Sequence, residues 1–303
     1  MLVEFLAGAP AHGVVRFALL AGLLAVLGVE VAAWRLVPVI ARHAGDAASR
    51  VQGRLRRLER AMVGVLAAVV ILRLVQQAAA FAETPSAWPT AVPLVLQKTM
   101  WGRGWLLQAI SLTVVAATRV QGRGVLGAVR LAALVGLAIA PALSGHAIGA
   151  PRLALTAVAT DAAHVLAGAV WIGTLAAMAA AAGAERRVLS APTMLGVLGR
   201  FSPLALGSAV VLAATGAFAS WLHLETPSAL WATPYGRTLL LKLACTACIA
   251  AVGAFNWRVA TPRLAASGTV TPLARAVVVE LGLACILLGV TAALIVTPLP
   301  AEG

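Results

Sequence analysis

The sequence predicts an all-α protein, a polytopic membrane helix bundle with about eight transmembrane helices. Of its 303 residues, 61% are hydrophobic and only 11% are charged, and the mean hydropathy is +0.97. A soluble domain is roughly half apolar and about a quarter charged, so this composition excludes a soluble enzyme, a disordered chain and a secreted disulfide scaffold. The apolar runs are rich in Ala, Leu and Val and do not alternate as barrel strands do, which favours helices.

Eight stretches meet or approach the length of about 20 apolar residues that a helix needs to cross a bilayer. The third is the shortest, and it spans the membrane only if Arg103 extends to the interface. The N-terminus lacks a basic segment followed by a short apolar core and a cleavage site, so we expect the first span to be retained. The predicted spans are residues 14–34, 61–82, 101–118, 125–143, 153–182, 204–222, 238–256 and 276–297.

The basic residues predict the orientation of these spans. The chain has 23 Lys and Arg against 10 Asp and Glu, a net charge of +13 that in a soluble protein would suggest a nucleic-acid partner. Here 15 of the 23 lie in the odd-numbered connections between spans and 4 in the even-numbered ones. By the positive-inside rule the odd connections face the cytoplasm and both termini lie on the outer side. The charge therefore predicts the topology of a membrane protein and no nucleic-acid partner.

A short internal repeat predicts how the bundle is organised. Residues 99–108 and 233–242 share the frame Thr-x-aromatic-Gly-Arg-x-x-Leu-Leu-Gln/Lys at an offset of 134 residues. Four spans separate the copies, and an even number predicts parallel repeats. We therefore expect one integral membrane domain over residues 1–303, with four-helix halves at 1–143 and 144–303 and a functional site between them.

Polar residues collect in the outer half of the predicted bundle. An ionisable side chain inside a membrane is costly, so each is a functional candidate. His164 lies within the fifth span, and His146 and His223 lie near the outer ends of the fifth and sixth. Imidazole suits Cu, Zn, Ni and Fe, and the thioether of Met100 would favour copper. These four residues are the predicted metal ligands.

A second group of residues is predicted to support that site without binding the metal. Asp161 lies one helical turn before His164 on the same face of the fifth span, and Trp171 continues that face. A carboxylate here either orients a ligating histidine or forms an ion pair. Its possible cationic partners are Arg73, which is close to Gln76 in the second span, and Lys242 in the seventh.

The inner half offers fewer candidates. Cys245 and Cys248 form a CxxC pair on one helix face. They are either a soft Cu(I) site on an exit path or two small apolar side chains that fill space. Arg130 and Glu280 lie near inner ends and are expected to reach the interface.

Several short blocks lie along the chain in a set order and spacing. They are Trp101-Gly-Arg, Gly145-His, Asp161-Ala-Ala-His, Trp171-Ile-Gly-Thr-Leu, Arg200-Phe-Ser-Pro and Tyr235-Gly-Arg-Thr-Leu-Leu-Leu-Lys, with Asn256, Pro262 and Glu280. Together they resemble the copper resistance protein D (CopD) family over about the last two thirds of the chain.

The resemblance implies a bacterial inner-membrane protein that moves copper inward from the periplasm, so that the two outer termini are periplasmic. It places the family's proposed metal residues at His146, His164 and His223. It also implies a periplasmic copper chaperone of the CopC type, which we expect to be a separate partner. The oxidation state of the copper stays open, because the chain has only five Met.

Copper transport, with no enzymatic activity, is therefore the predicted function, and two alternatives stay open. A membrane haem is commonly held by histidines on facing helices, and His164 and His223 lie on neighbouring spans, so a cytochrome b-type redox protein is one alternative. A copper sensor or assembly factor that does not transport is the other. An ATP-driven pump is disfavoured, because the sequence has no GxxxxGK[ST] loop.

Overall fold

A computed structural model describes residues 9–118, 124–145, 153–185, 189–224, 226–268 and 271–297. Within these ranges every regular element is helical, and "inner" and "outer" below refer to the predicted orientation. The α-helices of the bundle are α1 (Ala9–Val31), α2 (Gly45–Phe81), α3 (Trp88–Lys98), α4 (Met100–Ala117), α5 (Gly124–Leu143), α6 (Ala154–Gly168), α7 (Ala191–His223), α8 (Ala229–Ala232), α9 (Pro234–Phe255) and α10 (Thr271–Val296).

Three of these helices continue through a π-helical turn into a further α-helical segment. An i→i+5 turn of this kind inserts an extra residue, shifts the faces of the helix beyond it, and is found often at functional sites. The π-turns follow α1, α6 and α9 at Ala32–Leu36, Ala169–Gly173 and Asn256–Ala260, and the α-helical continuations are Val37–Ala41, Thr174–Ala182 and Thr261–Ser267.

The predicted membrane bundle is confirmed as an all-α polytopic fold, and its count of eight spans stays a prediction. Each of the eight predicted stretches is helical to within a residue of its ends. Among the described residues, six helices are long and apolar enough to cross a membrane, and the second and third predicted spans, in α2 and α4, are not among them. Those six are Ala11–Ala41, Gly124–Leu143, Ala154–Glu185, Ala191–His223, Pro234–Ser267 and Thr271–Val296.

Helix α2 begins well before the predicted second span, inside the Arg-rich segment that the sequence indicates as a connection. Its 37 residues correspond to about 56 Å, longer than a hydrocarbon core of about 30 Å. Its first turns are stabilised by burial of Ala47 and Leu55 and by ion pairs of Arg50 and Arg54 with Glu185 at 3.0 and 2.9 Å. The Glu185 carboxylate raises the pKa of Arg50, chiefly through a side-chain hydrogen bond.

Helix α1 packs against α2 in the first predicted half, and against α10 and the π-turn after α6 in the second. Leu23 and Val26 are fully buried along it. The backbones of α1 and the π-turn after α6 touch at Gly28 and Gly173, where a Cβ on Gly28 would lie 2.1 Å from the carbonyl carbon of Gly173. Small residues let membrane helices approach this closely, so this contact fixes how α1 packs against the helix that contains the π-turn.

The two repeated segments form the same local structure. Thr99 and Thr233 are N-caps, and their hydroxyl oxygens accept hydrogen bonds from the amides of Gly102 and Gly236 at 2.9 and 3.0 Å. A Cβ on either glycine would lie 2.2 or 2.1 Å from a carbonyl oxygen of the short helix before it, α3 or α8. The shared frame therefore builds one motif twice, a short helix folded back onto the start of a longer one. The division into halves at residue 143 stays a prediction.

Candidate metal site and polar clusters of the bundle

His164 is half-buried on α6 and faces Thr215 of α7, with 2.8 Å between Nδ1 and the threonine Oγ1. The hydroxyl has one proton and also lies 2.7 Å from the carbonyl oxygen of Val211, which can only accept. We therefore assign the hydroxyl proton to Val211 and the Nδ1–H to the bond with Thr215. Gly216 leaves space beside the ring, since a Cβ there would lie 4.0 Å from Cε1. In this tautomer Nε2 carries the free lone pair.

Lys242, not Arg73, is the cation beside Asp161. Lys242 on α9 interacts electrostatically with both Asp161 and His164. Arg73 instead bonds to groups on α4 and at the end of α5. The imidazole of His164 therefore lies in a polar environment that includes Lys242.

Among the described residues, His164 hydrogen-bonds to Thr215 and not to another predicted ligand. His146 lies outside those residues. His223 ends α7, eight residues beyond Thr215, which is about 12 Å along the axis. Met100 is exposed, and its Sδ lies 3.6 Å from the Arg103 guanidinium. In the described part of the chain no three His, Cys, Asp or Glu side chains gather as a metal site, so the ligand set stays a prediction.

Arg73 organises a separate polar cluster in the outer half of α2, α4 and α5. Its Nη1 donates to Oε1 of Gln108 at 2.6 Å and its Nη2 to Oγ of Ser144 at 2.9 Å. The guanidinium lies over the Trp101 ring, 5.4 Å from the centroid, and Gln76 is buried one turn further along α2. Gln108 and Ser144 are not among the residues that the sequence predicts for a polar site. The depth of Gln108 in the membrane is a signal that would have identified it. Gln108 lies eight residues after the start of α4, and Arg73 lies eight residues before the end of α2, so both are at a similar distance from the outer ends of their helices.

Trp171 belongs to a third cluster, in the inner half, rather than to the surroundings of His164. Its Nε1 donates to Oε1 of Glu280 at 3.0 Å, and Nδ2 of Asn256 donates to Oε2 at 3.1 Å. Both donors are on π-turns. Glu280 is buried, so the expectation that it reaches the interface is wrong, because two neutral donors hold it inside the bundle.

Arg130 is also buried, at 2% exposure, and does not reach the interface as expected. Its Nε bonds Oε2 of Glu30 at 2.8 Å, and its Nη2 bonds Oε1 of Glu59. Nη1 donates to the carbonyl oxygens of Val115 and Thr118. Two carboxylates and two carbonyls compensate the buried charge, which removes the reason for the side chain to extend to water.

The predicted exit-path thiols lie on the less buried side of α9. Cys245 is half-buried, Cys248 is exposed, and both are free thiols. Ile249, beside Cys248, is the buried residue of this turn. Cys248 therefore faces away from the bundle, and a role for the pair in an exit path stays a prediction.

These features define a class of protein. The fold is a multi-pass α-helical membrane bundle in which ionisable side chains are held by partners on other helices, a pattern that marks ion or substrate pathways. Comparison with known families identifies which one. Residues 8–152 match the family model described as "Copper resistance protein D-like, N-terminal domain", and residues 195–294 match "Copper resistance protein D". Together the matches cover about four fifths of the chain, and the chain belongs to the copper resistance protein D family.

One similar protein has a curated description. The chain is 26% identical over 216 residues to "Copper transport protein CutJ" of Bacillus subtilis (strain 168). The alignment covers 67% of this chain and 39% of that relative, so the chain spans well under half of the relative's length. No solved structure matches.

The matched regions divide the polar clusters unevenly. The N-terminal match includes the first two spans, where the sequence alone shows little resemblance, and it contains Arg73 and Gln108. The second match contains Thr215 and Lys242. His164 lies between the two matched regions. The prediction that His164 is a metal ligand is therefore supported by its geometry and not by either family match.

Proposed function

We propose that this protein binds copper and transports it across the bacterial inner membrane, from the periplasm to the cytoplasm, with both termini periplasmic. The observation that carries the proposal is the hydrogen bond from His164 to Thr215, which leaves one imidazole nitrogen available inside the bundle. Membership of the copper resistance protein D family and the name of the Bacillus relative support copper as the ion.

The geometry at His164 suits a metal ligand. A metal-bound histidine almost always donates its other ring N–H to a fixed acceptor, which sets the tautomer and the direction of the ring. Thr215 supplies that acceptor, and its own proton is engaged by Val211. Nε2 is then the copper-binding nitrogen, and His146 and His223 are the proposed further ligands. Imidazole ligands suit copper, and a CopC-like chaperone would deliver it from the periplasm.

Asp161 and Lys242 set the electrostatics of the proposed site. Lys242 acts electrostatically on both Asp161 and His164. A copper ion at His164 adds positive charge there, which a negative charge on Asp161 attracts and a positive charge on Lys242 repels. The Asp161 carboxylate then stabilises the bound ion without being a ligand.

The test is the copper content of the full chain purified in detergent, with His164→Ala compared with wild type. His43→Ala is the matched control, because His43 is exposed at the inner end of α1's continuation and bonds only a backbone carbonyl. We expect copper to be bound by wild type and by the control and lost from His164→Ala. Thr215→Val should weaken copper binding about 10–100-fold, as loss of a group that orients a ligand does.

Cells provide the second measurement. His164→Ala should abolish copper accumulation, and unchanged accumulation by a correctly inserted variant would overturn the proposal. Uptake of copper into proteoliposomes separates a transporter from a sensor or assembly factor. A visible spectrum with a Soret band and stoichiometric haem would instead support the cytochrome b-type alternative.

A further inference from the structure

The surroundings of Arg73 contain a second arginine, which is half-buried. Arg16 of α1 lies near enough to act electrostatically on Arg73. Arg73 is 3% exposed, and Arg16 has no hydrogen bond or ion pair in the described part of the chain. A guanidinium keeps its proton in a protein, and burying its charge without compensation is costly. Two positive charges in the same part of a membrane bundle therefore need a negative one.

The chain's own described carboxylates do not supply it. Each of the seven is engaged elsewhere or exposed, and none pairs with Arg16 or Arg73. Glu30 and Glu59 bind Arg130, Glu185 binds Arg50 and Arg54, Asp46 interacts with Arg50, Asp161 interacts with Lys242, Glu280 accepts from Trp171 and Asn256, and Glu83 is exposed.

The neutral groups of the cluster have used their acceptors and keep donors. Gln108 is 1% exposed, its Oε1 accepts from Arg73, and its Nε2 is buried with no hydrogen-bond partner in the described residues. The Ser144 hydroxyl accepts from Arg73 and donates to the carbonyl of Ala140. The hydrogen-bond donors that can still bind a ligand are the Gln108 amide N–H and the guanidinium N–H groups of Arg16 and Arg73.

We propose that Arg16, Arg73 and Gln108 bind a phosphate-type oxyanion in the outer half of the first helices. Planar guanidinium groups match the oxygens of phosphate, and an unpaired amide donor adds a third direction of contact. Arg73 and Gln108 each lie eight residues from an outer helix end, about 12 Å along the axis. The headgroup of a phospholipid and free inorganic phosphate share this chemistry. The site is separate from His164 and does not depend on copper binding.

The test uses the full chain in detergent and follows thermal unfolding in inorganic phosphate or chloride at equal ionic strength. Native mass spectrometry before and after delipidation detects a retained phospholipid. We expect wild type to be stabilised by inorganic phosphate, or to retain one phospholipid whose removal lowers Tm and whose return restores it. Arg16→Gln should lose either response. Arg103→Gln, which removes an exposed arginine near the same outer end, should keep it.

A second variant tests the charge argument directly. Gln108→Glu keeps an oxygen for Arg73 and adds the missing negative charge, so we expect it to unfold at a temperature that no longer depends on phosphate or lipid. Two results would overturn the proposal. One is that Arg16→Gln is more stable than wild type in both buffers, because the two arginines then only repel each other. The other is that only an acidic peptide stabilises the protein, which would assign the cluster to a partner protein.

Discussion

The contact between Gly28 and Gly173 gives the sharpest prediction about stability. In Gly28→Ala the new methyl would lie 2.1 Å from the carbonyl carbon and 2.4 Å from the carbonyl oxygen of Gly173. Carbon atoms in contact are normally about 3.5–4.0 Å apart, so α1 and the π-turn must separate by more than about 1 Å. Backbone atoms cannot rotate away as a side chain can. Overpacking of this kind costs about 1–3 kcal/mol, and we expect a loss in that range or above.

A matched control has the opposite expected sign. Gly64 lies inside α2, and a Cβ there would meet nothing within 4 Å. Gly64→Ala should be neutral or stabilise by about 0.5–1 kcal/mol, because alanine loses less conformational entropy in a helix. Gly173→Ala should behave like Gly28→Ala, since its methyl would lie 2.0 Å from the Leu24 carbonyl oxygen.

The measurement is thermal or denaturant unfolding of the purified full chain in one detergent. A lower Tm for Gly28→Ala and Gly173→Ala, beside an unchanged or higher Tm for Gly64→Ala, is the expected result. Equal stability of Gly28→Ala and Gly64→Ala would refute the close approach of α1 to the π-turn.

Two further predictions concern the inner clusters. Arg130→Met removes the cation from buried Glu59 and should destabilise the protein by about 3–5 kcal/mol in unfolding experiments; a loss no larger than that of Arg103→Met would contradict the ion-pair arrangement. Trp171→Phe removes one of two donors from buried Glu280 and should cost about 1–3 kcal/mol. Trp221→Phe, at a residue that is 67% exposed, is its control, and equal losses for the two would argue against the bond.

Local pattern explains what could be predicted. The Thr-x-aromatic-Gly-Arg frame gave the same capped turn twice, because the cap joins residues three apart in the chain. The eight helical stretches follow from runs of apolar residues. The predicted second span begins well after the start of α2, because burial of Ala47 and Leu55 against other helices, and not apolar content alone, makes the Arg-rich segment helical.

The polar clusters could be predicted only in part. His164 and Arg73 stand out in the sequence because an ionisable residue within a span is rare. Their partners do not, since Thr215 is 51 residues from His164 and Ser144 is 71 from Arg73. Trp171 was expected beside His164 on a regular helix face. The π-turn that holds Trp171 shifts that face, and the indole bonds Glu280 instead.

By itself the sequence determined that this is a membrane protein, that it is all-α, and which few ionisable residues lie within its spans. These properties depend on composition and on neighbours within one helix. The tertiary structure decided which polar groups meet: Lys242 with Asp161, Thr215 with His164, and Arg16 near Arg73 with no carboxylate among the described residues. The physical reason is that each buried charge or donor must find its partner on another helix, and helix packing alone sets which helices lie side by side.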